Sequence, residues 1–103
     1  MAKTAYSIYL DYQKAMKQAD QLEGAAKIIR NERKNVQASQ KSISAAWQGD
    51  NATKFIKKVN VVEEDLDSIA KNVQNAANVI RQIAKETYEA EQKALDLAKA
   101  RQV

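Results

Sequence analysis

Apolar residues recur along the first half of the chain at alternating spacings of four and three. They run through Ile8, Tyr12, Ala15, Ala19, Leu22, Ala26, Ile29, Val36, Ile43 and Trp47, with Arg33 and Gln40 as the polar interruptions. The second half repeats the rhythm through Ala52, Phe55, Val59, Val62, Leu66, Ile69, Val73, Ala76, Ile80, Ile83, Ala90, Ala94 and Leu97, where Thr87 is the polar member. Such spacing keeps one stripe of a helix turned toward a neighbour, and heptads sustained this long predict coiled-coil-like packing. The phase breaks between Trp47 and Ala52, inside "SAAWQGDNATKF". There Gly49 can adopt the left-handed backbone that closes a helix, and Asp50 or Asn51 can cap the next one.

The pattern predicts an all-α, antiparallel two-helix hairpin as a single domain over residues 1–103. Helix 1 is expected over about 5–47, the turn over about 48–50 and helix 2 over about 51–100, because a connection this short forces the helices to lie antiparallel. At 1.5 Å per residue the helices would be roughly 60 and 75 Å long. The interface residues expected from the stripes are Ile8, Tyr12, Leu22, Ile29, Val36 and Ile43 on helix 1. On helix 2 they are Phe55, Val59, Val62, Leu66, Ile69, Val73, Ile80 and Ile83. Trp47 would cap the end of the seam near Ala52 and Phe55.

Composition agrees with long helices. The chain has no proline and two glycines, too little turn chemistry for a sheet. It has no cysteine and no histidine, which removes disulfides, thiol catalysis and the commonest zinc sites. The adjacent acids Glu63, Glu64, Asp65 and Asp67 lack the glycine and ligand order of a calcium loop, so neither a metal nor a cofactor is expected. No apolar run is long enough to span a bilayer, and "MAKTAYSIYLDYQK" lacks the apolar core of a cleavable signal peptide. Stable membrane insertion is therefore not expected, nor is catalysis, since long helical seams offer no evident pocket.

The net charge of +4 is unevenly placed, with eight Lys/Arg against four Asp/Glu in residues 1–49 and nine against nine in residues 50–103. Folding at Gly49 pairs residues whose numbers add to about 99, which sets Arg33 and Lys34 beside Glu64 and Asp65. The basic run "KIIRNERK" and the acidic run "VVEEDLD" then read as cross-helix pairing on solvated faces. The other reading of the basic run, a nucleic-acid or anionic-lipid patch, has no interleaved aromatic residue behind it. The same register puts Tyr6 opposite residue 93, leaving roughly the last ten residues without an intramolecular partner, a segment free to fray or to be read by a receptor.

Helix 2 carries further apolar residues beside its stripe, at Ile56, Ala70, Ala77, Ala84 and Ala98, and helix 1 adds Tyr9 and Met16. These widen the apolar face beyond what one partner helix covers, which favours docking of a second hairpin into a four-helix bundle. The competing explanation is that alanines are good helix formers on a wet face.

A hairpin of this length with Trp47-Gln48-Gly49 at its one break, and without cysteine, resembles the WXG family of small early-secreted-antigen-like (Esx) proteins exported by bacterial type VII secretion systems. The resemblance covers the whole chain. It implies a helical hairpin that dimerises into a four-helix bundle, either with itself, with a related WXG-type protein, or with the helical N-terminal domain of an effector. It also implies folding in the cytoplasm, export by a motor ATPase without a cleavable signal peptide, and a final location outside the cell or on its surface. In that family the Trp-x-Gly turn of one chain lies near the C-terminal helix end of its partner and the two form a composite export signal, which points to Trp47 and Gly49. The family's second element, a C-terminal Tyr followed four residues later by Asp or Glu, is altered here. Tyr88 has Gln92 at that position and Glu91 one residue earlier. Either Tyr88 and Glu91 form a degenerate version on one helix face, or the signal belongs to a partner or the tail is read differently, and Tyr88 is an aromatic flanking the seam of helix 2 beside Thr87. The resemblance thus implies a non-enzymatic protein that acts as a dimeric secretion substrate or as a targeting partner for a larger effector. Against it stands an intracellular coiled-coil adaptor, or a basic hairpin that binds nucleic acid, in which Trp-x-Gly is coincidence.

Overall fold

A computed structural model describes residues 3–101 of the 103. Two helices account for nearly all of them: α1, Ala5–Ala46, and α2, Asp50–Arg101, packed as an antiparallel hairpin. No strand occurs among the described residues. The start of α1 is fixed by a reciprocal pair of hydrogen bonds. The Ser7 amide donates to Thr4 Oγ1 at 3.1 Å and the Thr4 amide donates to Ser7 Oγ at 3.0 Å. This is a capping box with serine in the place usually held by Glu or Gln.

The hairpin packs as two units, one made of Glu23–Gln74 and the other of the described residues up to Leu22 together with those from Asn75 onward. In the first unit Ala26, Ala52 and Ala70 are buried, with Ile29, Val36, Ile43, Ile56, Val59, Leu66 and Val73 half-buried around them. In the second, Ile8, Ala19, Ala77 and Ala84 are buried, flanked by Tyr12, Ala15, Leu22 and Ile80. The core is therefore built of alanines, which let the two helix backbones approach closely. No large side chain is completely enclosed among the described residues.

The seam on α1 follows the expected spacing, including its polar members: Arg33 and Gln40 are both half-buried. On α2 it does not. Phe55, Val62, Ile69, Ala76, Ile83, Ala90 and Leu97, expected in the seam, are all exposed. Their place is taken by Ile56, Glu63, Ala70, Ala77, Ala84 and Glu91, one position further along. Alanines expected to face an outside partner are thus the contact surface for α1, and the larger residues are turned outward. The reason is steric, because the row of small side chains gives the closer helix approach and more of the backbone's own surface is buried with it.

Charge pairing also differs from expectation in detail. Arg33 Nε lies 3.3 Å from Asp67 Oδ1, not beside Glu64 or Asp65. The approach lacks hydrogen-bond alignment, so Nε is buried without an acceptor. No ion pair involves Lys34 among the described residues. Arg33 is a seam residue, so its head emerges on the flank where Asp67 stands, whereas Lys34 is rotated away. Gln40, the second polar seam residue, donates to Asn60 Oδ1 at 3.0 Å, and Arg81 Nη2 donates to Asp20 Oδ1 at 2.9 Å. Ala94 is exposed, as is every described residue from Asp96 onward.

Candidate functional site

Trp47 stands at the point where α1 stops. Its amide makes a last helical hydrogen bond to the Ile43 carbonyl at 2.9 Å, after which the chain leaves the helix. Gly49 follows with φ of +113°, a backbone that a side chain would strain. Its carbonyl accepts from the Thr53 amide at 3.0 Å and from Thr53 Oγ1 at 3.1 Å, so Gly49 is itself the cap residue of α2. The sequence points to Asp50 or Asn51 for that task. Asp50 instead occupies the first turn of α2, where its charge complements the helix dipole.

The turn delivers the indole onto the first coil of α2. The Trp47 and Phe55 rings lie 5.6 Å apart at 50°, an offset contact typical of aromatic pairs. Ala52 is buried beside them, yet Trp47 stays 43% exposed and Phe55 37%. The turn therefore holds an aromatic pair in a fixed geometry with much of its surface in water. Fixed, partly exposed aromatic groups are what protein recognition surfaces use as anchors.

Tyr88 and Glu91 occupy the other unit and are engaged within the chain. Tyr88 is half-buried against Tyr12, with ring centroids 5.0 Å apart at 44°. Glu91 Oε1 accepts from Lys3 Nζ at 2.9 Å, and the same ammonium donates to Asp11 Oδ2 at 3.2 Å. The bond to Glu91, then the bond to Asp11, raises the Lys3 pKa above its ordinary value. Between the helices lies an open apolar hollow of about 240 Å³ whose walls include Ile8, Tyr12, Ile83, Thr87 and Tyr88. The two residues thus share one face, and each already has a partner on α1 or at its N-terminal edge. Lys3 and Tyr12 as those partners could not be read from the motif, although a register adding to about 100 does bring 12 and 88 together.

Ile8, Tyr12, Leu22, Ile29, Val36, Ile43, Val59, Leu66, Val73 and Ile80 lie in the seam within the chain. Phe55, Val62, Ile69 and Ile83 are exposed instead, Phe55 resting against Trp47 and Ile83 at the wall of the hollow. A sequence signal for this division exists in the alanine heptad 70, 77, 84, which marks a close helix contact more strongly than the bulkier row beside it. No described helix is long and apolar enough to cross a membrane. Searches among curated proteins and among solved structures give no match. A scan of protein families gives one: residues 7–92 match the model described as "WXG100: Proteins of 100 residues with WXG".

Proposed function

Because the chain belongs to the WXG100 family, we propose that it is a small, non-enzymatic protein exported as a dimer by a type VII secretion system, each copy a single hairpin over residues 1–103. The observation that carries this reading is the position of the family's signature. Trp47-Gln48-Gly49 is the only interruption between two helices of 42 and 52 residues, and it presents a half-exposed indole. In this reading Trp47 is the anchor and Gly49 the residue that lets the chain turn without strain. The exposed row of α2 (Phe55, Val62 and Ile69 in one unit, Ile83 and Leu97 in the other) meets a second copy or a related WXG chain. Tyr88 and Glu91 serve as the C-terminal part of the signal, with the contacts to Tyr12 and Lys3 fixing their orientation. The protein folds in the cytoplasm and leaves by the motor ATPase.

The test is export of Trp47→Ala from cells that carry the secretion system, with Leu66→Ala as the comparison. Trp47→Ala is expected to fold and accumulate inside the cell while its appearance in the medium drops at least tenfold, the loss of an anchor worth about 2 kcal/mol. Leu66→Ala, half-buried in the seam, is expected to cost more stability, on the order of 2 kcal/mol. Normal export of a stably folded Trp47→Ala protein refutes the reading.

A further inference from the structure

Charge around the turn points to the chemistry of whatever reads it. Residues 34–62 contain five lysines, Lys34, Lys41, Lys54, Lys57 and Lys58, against one acid, Asp50. Five against one leaves +4, the net charge of the entire chain, so the remaining residues balance at twelve cations and twelve anions. The imbalance that the sequence places in the first half is thus a property of the turn region, because folding brings the two flanks of the turn together. All five lysines are exposed, and among the described residues none forms an ion pair. Three of them, Lys54, Lys57 and Lys58, lie within three residues of Phe55 at the start of α2, beside the exposed Trp47–Phe55 pair.

We propose that the surface that reads the Trp47 turn is an acidic protein surface, with Lys54, Lys57 and Lys58 supplying the electrostatic part of recognition and Trp47 with Phe55 the apolar anchor. This rests on the export reading and names the chemistry of its receptor. Unpaired like charges raise the potential at the site, steer an oppositely charged surface toward it and disfavour neutral or basic competitors. Charge complementarity favours a protein over a bilayer for a geometric reason. Lys58 follows Phe55 by three residues and precedes Val62 by four, so it stands on the same flank of α2 as both exposed apolar groups. An acidic side chain can pair with a lysine set among apolar groups. An amphipathic helix lying in a membrane instead separates its lysines onto the opposite face. Nucleic acid fits less well, since the two rings are tilted against each other at 50° as a single pair and are not set as successive stacking platforms along a strand.

The experiment compares the purified chain with two triple variants, Lys54→Gln/Lys57→Gln/Lys58→Gln and Lys54→Arg/Lys57→Arg/Lys58→Arg, each checked for helicity. Trp47→Ala is carried alongside. Binding is measured to the cytosolic part of the secretion motor ATPase at low and high salt, and to phosphatidylglycerol vesicles, while export is followed in cells. The Gln variant is expected to bind the motor about tenfold more weakly at low salt, with a flatter salt dependence, and to be exported correspondingly less. The Arg variant is expected to match the native chain. A Gln variant that binds the motor and is exported normally, while Trp47→Ala does neither, overturns the acidic-surface proposal and leaves the export reading standing. Loss of vesicle binding alone in the Gln variant assigns the lysines to a membrane and also overturns it. Normal export of Trp47→Ala removes the export reading, and this proposal with it.

Discussion

At the scale of single residues, the two glycines separate two uses of the same side chain. Gly24 lies inside α1 and has open space where a Cβ would go, so Gly24→Ala adds helix propensity and lowers the entropy of the unfolded chain. It is expected to stabilise the protein by about 0.5–1 kcal/mol. Gly49 also has open space around it, but its φ of +113° is a conformation that L side chains rarely adopt. With no clash to relieve, any cost of Gly49→Ala comes from the backbone alone, and it is expected to destabilise by at least about 1 kcal/mol. Urea unfolding of both variants checks the pair, and opposite signs are the expected outcome. If Gly49→Ala is neutral, the left-handed turn is not what positions Trp47.

At the scale of the helices, the sequence resolved most of the architecture because a hairpin has few degrees of freedom. Two apolar arrays, one break and a short turn leave only the rotation of each helix about its axis undetermined. On α1 that rotation was legible, since one row runs from Ile8 to Ile43 and the apolar residues beside it, such as Tyr9 and Met16, are too few to form a second. On α2 two apolar rows lie side by side, and size misled. Hydrophobicity favours the row of Phe55, Val62, Ile69 and Ile83, whereas close packing selects the row of Ala70, Ala77 and Ala84. The cap at Gly49 and the Lys3 clamp were also illegible, because they depend on turn geometry and on the path of the N-terminal segment. Ala76 and Ala77 test the assignment with one substitution moved by one residue. Ala77 is fully buried and Ala76 exposed. Ala77→Leu is expected to destabilise by about 1–3 kcal/mol through overpacking, and Ala76→Leu to stay within about 0.5 kcal/mol of the native chain or to stabilise it. The reverse order in urea midpoints would return α2 to the larger-residue seam.

At the scale of the whole molecule, the surface left in water argues for a partner. The chain leaves 7916 Å² accessible, whereas a compact monomer of 11.5 kDa exposes about 5,800 Å². Two packed helices necessarily expose more than a compact globule of the same mass, so what matters is which side chains make up that surface. It includes apolar side chains: Val62 is 48% exposed, Ile69 48%, Ile83 56% and Leu97 53%. Val62 and Ile69 in one unit, and Ile83 and Leu97 in the other, are each spaced by a multiple of seven, so within each unit they present one face that a facing helix can cover. A core made mainly of alanines contributes little more than a methyl group's burial at each site, about 0.8 kcal/mol, and so small a chain rarely stands on that alone. Light scattering during size exclusion is therefore expected to give a mass near twice 11.5 kDa, with a melting temperature that rises with protein concentration. Ile69→Ser/Ile83→Ser is expected to shift the chain to monomer and to lower its helicity, because the substituted face no longer excludes water. A purified native chain that is monomeric and poorly helical would assign the row to a related WXG chain. A monomer that is fully helical and stable would mean that the row needs no cover, and the dimer would then be lost from the export reading.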